Sequence, residues 1–177
     1  LYLGSAGVGQ LTVVDPDTVE LSNLQRQIAH TQDRVGQAKV DSLAQAVAAI
    51  NPEVCVRTHH ARADAAWLDL AVSQADVVLD CTDNYATRQA INRACVQHLK
   101  PLVSGAVIRM DAQVSVYDAR QSGSACYACV FPPEEAATEV QCATMGVLAP
   151  LVGIVGSLQA AEAIKLITGM GSSLVGR

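Results

Sequence analysis

The chain has 177 residues, enough for one domain with a sizeable core, and its formal net charge of -5 argues against a nucleic-acid surface. Half of its residues are apolar but only six are Phe, Trp or Tyr, so the core is expected to be built from Ala, Val, Leu and Ile, which suits helices packed on a parallel sheet. No run of 18 apolar residues occurs, no secretory signal opens the chain, and six cysteines are too sparse for a disulfide scaffold; a cytoplasmic protein with reduced thiols, binding neither membrane nor nucleic acid, is expected.

The opening LYLGSAGVG reads as the last turns of a helix, stopped by glycines at 4, 7 and 9. A chain that starts in mid-helix, on Leu1 and not Met, is expected to be part of a longer protein. LTVVD (11–15) predicts a buried strand ending on Asp15, and SNLQRQI predicts a short helical turn capped by Ser22 or Asn23. Residues 35–52 predict the clearest helix: Val40, Leu43, Val47 and Ile50 recur at helical spacing, and Asn51-Pro52 ends it. EVCVRTH (53–59) alternates like a strand, and residues 64–73 suit a helix. DVVLDCTDN (76–84) predicts a second buried strand with a polar end, Cys81 being a buried thiol.

A helix over 85–98, strands over 101–107 and 112–118, and a long cysteine-containing loop over 119–146 follow. PLVGIVGSLQAAEAIKLITG (150–169) is an apolar helix closed by Gly169. Its length raises a membrane question, but Gln159, Glu162 and Lys165 argue for a core or subunit-interface helix. Strands alternating with helices predict a doubly wound, mostly parallel α/β sheet in a single domain over 1–177. Ligands bind beyond the carboxyl ends of such strands, where Asp15 and the stretch from Asp80 to Asn84 fall.

Asp15 is placed to accept hydrogen bonds from ribose hydroxyls, or equally to cap the turn that DPD signals. Asn23, Arg26 and Lys39 together would neutralise a triphosphate; singly, each also reads as a solvated loop or helix-surface residue. Lys39 lies in the first turns of its helix, where a cation opposes the dipole, so a structural lysine belongs more naturally at the other end. Asp80 and Asp83, with Asn84 beside them, stand at a strand end, where a carboxylate with phosphate oxygens holds magnesium, and Asp83 or Asn84 also suits a helix cap. Cys126 and Cys129 form a C-x-x-C pair, which is half of a zinc site or simply two reduced thiols. Cys142 reads as an acyl or sulfur acceptor or, more plainly, as a partly buried thiol. His30, His59, His60 and His98 form no ligand-like spacing with the cysteines.

Taken together, DPDTVELSNLQRQ, VGQAKV, INP, DVVLDCTDN, PLVSGAVIRM, CYAC and GVLAPLVGIVGSLQAAEAIKLITG resemble the ThiF/HesA-type adenylyltransferases, relatives of the ubiquitin-activating enzymes, over nearly the whole chain. The resemblance implies a doubly wound ATP-binding fold, a homodimer, and adenylation of the C-terminal glycine of a small ubiquitin-like sulfur-carrier protein with release of pyrophosphate. It implies that Asp15 holds the ribose, and that Ser22, Asn23, Leu24, Gln25 and Arg26 line the nucleotide with Asn23 and Arg26 near the phosphates. Lys39 is implied as a further phosphate contact, Asp83 as the Mg2+ ligand with Asn84 beside it, and Cys126 and Cys129 as half of a Zn2+ site. Cys142 matches the position of a conjugating or sulfur-handling cysteine in some members.

The family's first strand and glycine-rich loop would precede Leu1, and its second C-x-x-C would follow Arg177; weak binding of ATP and zinc is expected of the chain alone. PLVSGAVIRM leans toward the molybdopterin branch and ATRQAIN toward the thiamine branch. An NAD-dependent oxidoreductase is the rival reading; Asp15 suits it, but Arg26, Lys39 and C-x-x-C together do not. A non-catalytic ATP-binding subunit is the second rival, opposed by the presence of Arg26, Lys39 and Asp83. Asp17 and Glu20 are expected only to shape the turn.

Overall fold

A computed structural model describes residues 1–133 and 146–177; the segment 134–145, with Cys142, lies outside the described residues. The described chain forms two compact units, Leu1–Ala63 and Asp64–Arg177.

In the first unit, α1 (Tyr2–Ser5) leads to β1 (Gln10–Val14), a long loop, α2 (Lys39–Ile50) and β2 (Cys55–His59). β2 pairs parallel to β1, from Gln10↔Cys55 to Val14↔His59. The apolar stripe of α2 works as its spacing predicts at Val40 and Val47, each 1% exposed, but Ile50 is 47% exposed because the helix ends there and the stripe runs off the core. Helix α2 begins at Lys39, later than the sequence pattern suggests. Residues 36–39 instead run against the loop after β1: Val19 N donates to Gln37 O at 2.8 Å, Gly36 N to Val19 O at 2.8 Å and Lys39 N to Asp17 O at 3.0 Å. Backbone groups with partners there have no need of helix hydrogen bonds.

The second unit contains α3 (Ala65–Gln74), β3 (Val78–Asp80), α4 (Tyr85–Gln97), β4 (Leu102–Ile108), β5 (Asp111–Tyr117), a single turn α5 (Tyr127–Val130) and α6 (Ala149–Thr168). β3 and β4 are parallel, while β4 and β5 form an antiparallel hairpin whose register runs from Leu102↔Tyr117 to Ile108↔Asp111. Its core joins Leu68 and Val72 of α3, Ile91 and Cys95 of α4, Leu102 and Val103 of β4, and Val155 and Ala163 of α6. Helix α6 starts at Ala149, with Pro150 in its first turn, and stops at Gly169, whose φ of 70° lets its N–H reach Lys165 O. Among the described residues α6 is long and apolar enough to cross a membrane. Its inner side nevertheless carries Gln159 and Glu162, each 3% exposed, both with polar partners in the protein.

Gln159 fixes one residue on β4. Its Nε2 donates to Asp80 O at 2.9 Å and to Val103 O at 3.2 Å, and a Cβ on Gly105 would lie 2.4 Å from its Cδ. Only glycine leaves room for that amide. Gly105→Ala is expected to cost about 1–3 kcal/mol, through overpacking and displaced hydrogen bonds, read as a lower urea midpoint. An unchanged midpoint would contradict this contact.

Candidate functional site

In the first unit the polar stretch after β1 is held by its own acids. Asp15, half-buried, accepts the Asp17 N–H on Oδ1 at 2.8 Å, the Asx turn that its DPD sequence favours. Leu21–Asn23 form one 3-10 turn whose cap is Glu20, not Ser22 or Asn23 as the sequence suggests. Glu20 and Asn23 satisfy each other's backbone N–H groups, with Glu20 N donating to Asn23 Oδ1 at 3.1 Å. Asn23 is therefore buried and its carbonyl oxygen committed; Ser22, exposed, donates its hydroxyl to Glu20 at 3.1 Å. Leu24 is half-buried and Gln25 exposed.

Arg26 is only half-buried, and its one hydrogen-bond partner among the described residues is Ser22 O, at 3.2 Å from Nη1. Four of the five guanidinium N–H donors stay available to a ligand. Lys39 is the first residue of α2 and its Nζ lies 2.8 Å from Asp17 Oδ2. The lysine side chain is 14% exposed and the aspartate 61%, so the pair is open to solvent on the acid's side. Asp17 thus offsets the unfavourable helix dipole at Lys39, a role the sequence did not assign it. His30 reports the same neighbourhood: burial first, then Lys39, lower its pKa, while Asp15 opposes them.

In the second unit the carboxylates of DCTDN separate into two kinds. Asp80, the last residue of β3, is 1% exposed and fully committed: Oδ1 accepts from Thr82 N at 2.9 Å and Thr82 Oγ1 at 2.7 Å, and Oδ2 accepts from Ser104 Oγ at 3.1 Å. Asp83 is exposed and has no hydrogen-bond partner among the described residues. Asn84 caps α4, its Oδ1 accepting from Thr87 N at 2.9 Å. One structural acid, one open acid and one cap therefore stand within five residues. Cys81 as a residue is exposed just past the end of β3, but its sulfur turns inward to Gln159 Oε1 at 3.7 Å and burial pushes the thiol up to about 11, in keeping with the expected buried thiol.

The C-x-x-C pair sits on the α5 turn with its sulfurs 3.6 Å apart. Two thiolates on one tetrahedral zinc lie roughly 3.8 Å apart, given Zn–S of about 2.3 Å, so the pair fits as half of a site. Asn92 supports it from α4, with Nδ2 3.6 Å from Cys126 Sγ and Oδ1 accepting from Tyr127 N at 3.0 Å. Burial pushes the Cys126 thiol up, but hydrogen bonds from Asn92 and from Cys129 outweigh it and leave the pKa below the ordinary value. Among the described residues no third His, Cys, Asp or Glu joins the pair.

Sequence reasoning missed Arg88. Its guanidinium bonds Thr82 O and, at 3.1 Å, Gly105 O, and its Nη1 lies 3.8 Å from Asp80 Oδ2. The one available signal was a charged residue four positions after the Asn84 cap, on the side of α4 that also carries Ile91 and Cys95.

The sequence model of the ThiF family matches residues 1–177. The molybdopterin-synthase adenylyltransferase of Escherichia coli (strain K12) is 48% identical over 99% of this chain and 70% of that protein. The adenylyltransferase and sulfurtransferase MOCS3 of Culex quinquefasciatus is 44% identical over 100% of this chain, which spans 40% of that protein. Among solved structures, PaaA superposes with a TM-score of 0.79 at 25% identity, over 98% of this chain and 53% of its own. E. coli MccB, crystallised with ATP, gives a TM-score of 0.78 at 22% identity, over 97% of this chain and 52% of its own, a likeness that shows the fold alone. This chain thus spans about half the length of those structures. It carries the SNLQRQ and DCTDN motifs on a Rossmann-like α/β scaffold, and it belongs to the ThiF family of adenylyltransferases.

Proposed function

We propose that the protein uses ATP to adenylate the C-terminal glycine of a small ubiquitin-like sulfur carrier, in molybdopterin biosynthesis. The observation that carries this reading is the state of two side chains: Arg26 and Asp83 keep donors and a carboxylate open to a ligand, while beside them Asn23 commits its carbonyl oxygen and Asp80 its carboxylate to the fold. The 48% identity to a molybdopterin-synthase adenylyltransferase supports the choice of branch.

A carboxylate oxygen of the carrier attacks the α-phosphorus of ATP. The bond from that phosphorus to the bridging oxygen breaks, and pyrophosphate leaves with the electron pair. No general base is required, because a C-terminal carboxylate is already ionised near neutral pH. The obstacle is repulsion between two anions, and cationic groups fixed in advance lower it. We assign Arg26 to the phosphates as a fork and Lys39 as a point charge, Asn23 to the same anion through Nδ2, and Asp15 to the ribose. Ser22, Leu24 and Gln25 line the nucleotide in this reading.

Asp83 would hold magnesium with phosphate oxygens; its exposed, uncommitted carboxylate fits that ion, which supplies further positive charge to the leaving pyrophosphate. Asn84 stays in place as the cap beside it. The two units are read as parts of one adenylation domain, since one family model runs through both. A cytoplasmic homodimer is part of the proposal; Ile154 and Leu158 of α6, 55% and 46% exposed, are apolar surface suited to a second copy.

The branch is tested by incubating the full-length protein with ATP and either carrier and trapping the acyl-adenylate. Adenylation of the molybdopterin-synthase carrier in preference to the thiamine carrier is expected; the reverse preference would move the protein to the thiamine branch.

Zinc is proposed as a structural ion held by Cys126 and Cys129 with two further thiolates. Metal analysis of the full-length protein is expected to give about one zinc per chain, and Cys126→Ser to remove it and lower the unfolding midpoint. Protein with every cysteine reduced and no zinc would remove this part.

A further inference from the structure

Resting on the adenylation reading, we infer that Arg88 and Asp80 are positioning residues: they hold the loop that presents Asp83 without themselves meeting metal or phosphate. β3 ends at Asp80 and α4 begins at Tyr85, so Asp83 stands on a short connection at a strand end. Such a loop places a carboxylate accurately only if its backbone is tied. Thr82, the residue before Asp83, is held at every polar group it has. Its N–H and its hydroxyl both donate to Asp80 Oδ1, at 2.9 and 2.7 Å, and its carbonyl accepts from Arg88 Nη2.

The two gripping residues are themselves anchored. Asp80 takes a further hydrogen bond from Ser104 on β4, and its backbone oxygen takes one from Gln159 on α6. Arg88 also bonds Gly105 O on β4, at 3.1 Å. On the far side, Asn84 closes the loop by capping α4. Asp83 is the open side chain of a segment fixed before and after it.

The charge of this pair argues for geometry rather than stability. Arg88 is 12% exposed at its side chain and Asp80 1%, and their closest approach is 3.8 Å, too long for a strong ion pair. Burying two charges carries a desolvation penalty that a well-packed apolar pair would avoid. What an apolar pair lacks is donors and acceptors for the Thr82 peptide. With Nη2 on Thr82 O and Gly105 O and Nη1 against Asp80, Arg88 spends these donors inside the fold and not on a triphosphate.

The test uses the full-length protein with Arg88→Gln, Arg88→Lys and Thr82→Val, the last removing one hydroxyl donor at nearly constant volume. Amide hydrogen exchange is measured without nucleotide or metal, and carrier-dependent pyrophosphate exchange as a function of Mg2+. Arg88→Gln is expected to speed exchange at the Thr82 amide, which donates to Asp80 Oδ1, about tenfold, with β5 unchanged, the loss of one charged hydrogen bond. It should raise the Mg2+ needed for half-maximal activity about tenfold while the KM for ATP at saturating Mg2+ stays within about twofold. Arg88→Lys should fall between, and Thr82→Val should move both readouts the same way by less.

Wild-type values of both readouts in Arg88→Gln and Thr82→Val would overturn the inference. So would a raised KM for ATP at saturating Mg2+ with unaltered amide exchange, since Arg88 would then be a phosphate ligand. If Arg88→Gln does not fold, Thr82→Val decides alone. Wild-type protein without any pyrophosphate exchange, but with the amide effect intact, would sink the adenylation reading and leave the loop assignment standing.

Discussion

Asp83→Ala is expected to lower carrier-dependent pyrophosphate exchange by about 10²- to 10³-fold at saturating ATP, the size of effect seen when one preorganised electrostatic partner of a transition state is removed. Stability should hardly change, because an exposed side chain without partners contributes within about 0.5 kcal/mol. Asp80→Ala gives the contrast. It removes the acceptor for Thr82 N, Thr82 Oγ1 and Ser104 Oγ at a site 1% exposed, and should cost about 2–5 kcal/mol of stability by leaving those buried donors without a partner. The two aspartates stand three positions apart, yet Asp83→Ala is expected to fail in chemistry alone, and Asp80→Ala in folding as well as in the placing of Asp83. A stable, fully active Asp83→Ala protein would contradict the assignment.

Arg26→Ala should lose about 10²- to 10³-fold in kcat/KM, and Arg26→Lys should recover little of it, since an ammonium cannot reproduce a two-point fork on phosphate oxygens. Lys39→Ala is a less direct probe because Lys39 also pairs with Asp17 at 2.8 Å. Asp17→Asn separates the two roles. If Lys39 serves only to pair with Asp17, then Asp17→Asn will reproduce the Lys39→Ala defect. If Lys39 serves phosphate, Asp17→Asn will stay active while Lys39→Ala will not. Steady-state kinetics of the four variants at fixed Mg2+ decides.

Periodicity and breakers located nearly every element. The alternation over 53–59 became β2, the stripe of Val40 and Val47 the buried side of α2, and the glycine at 169 the end of α6. Short-range backbone pairing was less legible. Nothing in GQAK announces that residues 36–39 would pair with the loop after β1 and delay α2, because that depends on a segment some twenty residues earlier. The cap at Glu20 was hidden for a related reason: Ser and Asn are the commoner caps, and the reciprocal bond with Asn23 exists only once the 3-10 turn has formed.

The polar motifs were legible as clusters but not as roles. DCTDN contains two aspartates, and composition cannot say which is buried. That follows from Ser104 and Gln159 on other elements, both distant in sequence. Arg88 escaped for the same reason, its partners Gly105 and Thr82 being brought to it by β4 and the loop. Asp17 and Glu20 proved to have partners of their own in Lys39 and Asn23, so the acids of that turn shape the segment that carries Arg26.

The most direct test of the central claim is exchange of labelled pyrophosphate into ATP by the full-length protein, with the molybdopterin-synthase carrier present, absent, or lacking its last glycine. Exchange that requires the carrier and its terminal glycine is the expected result. Folded protein that gives no exchange with an intact carrier, or exchange indifferent to that glycine, would contradict it.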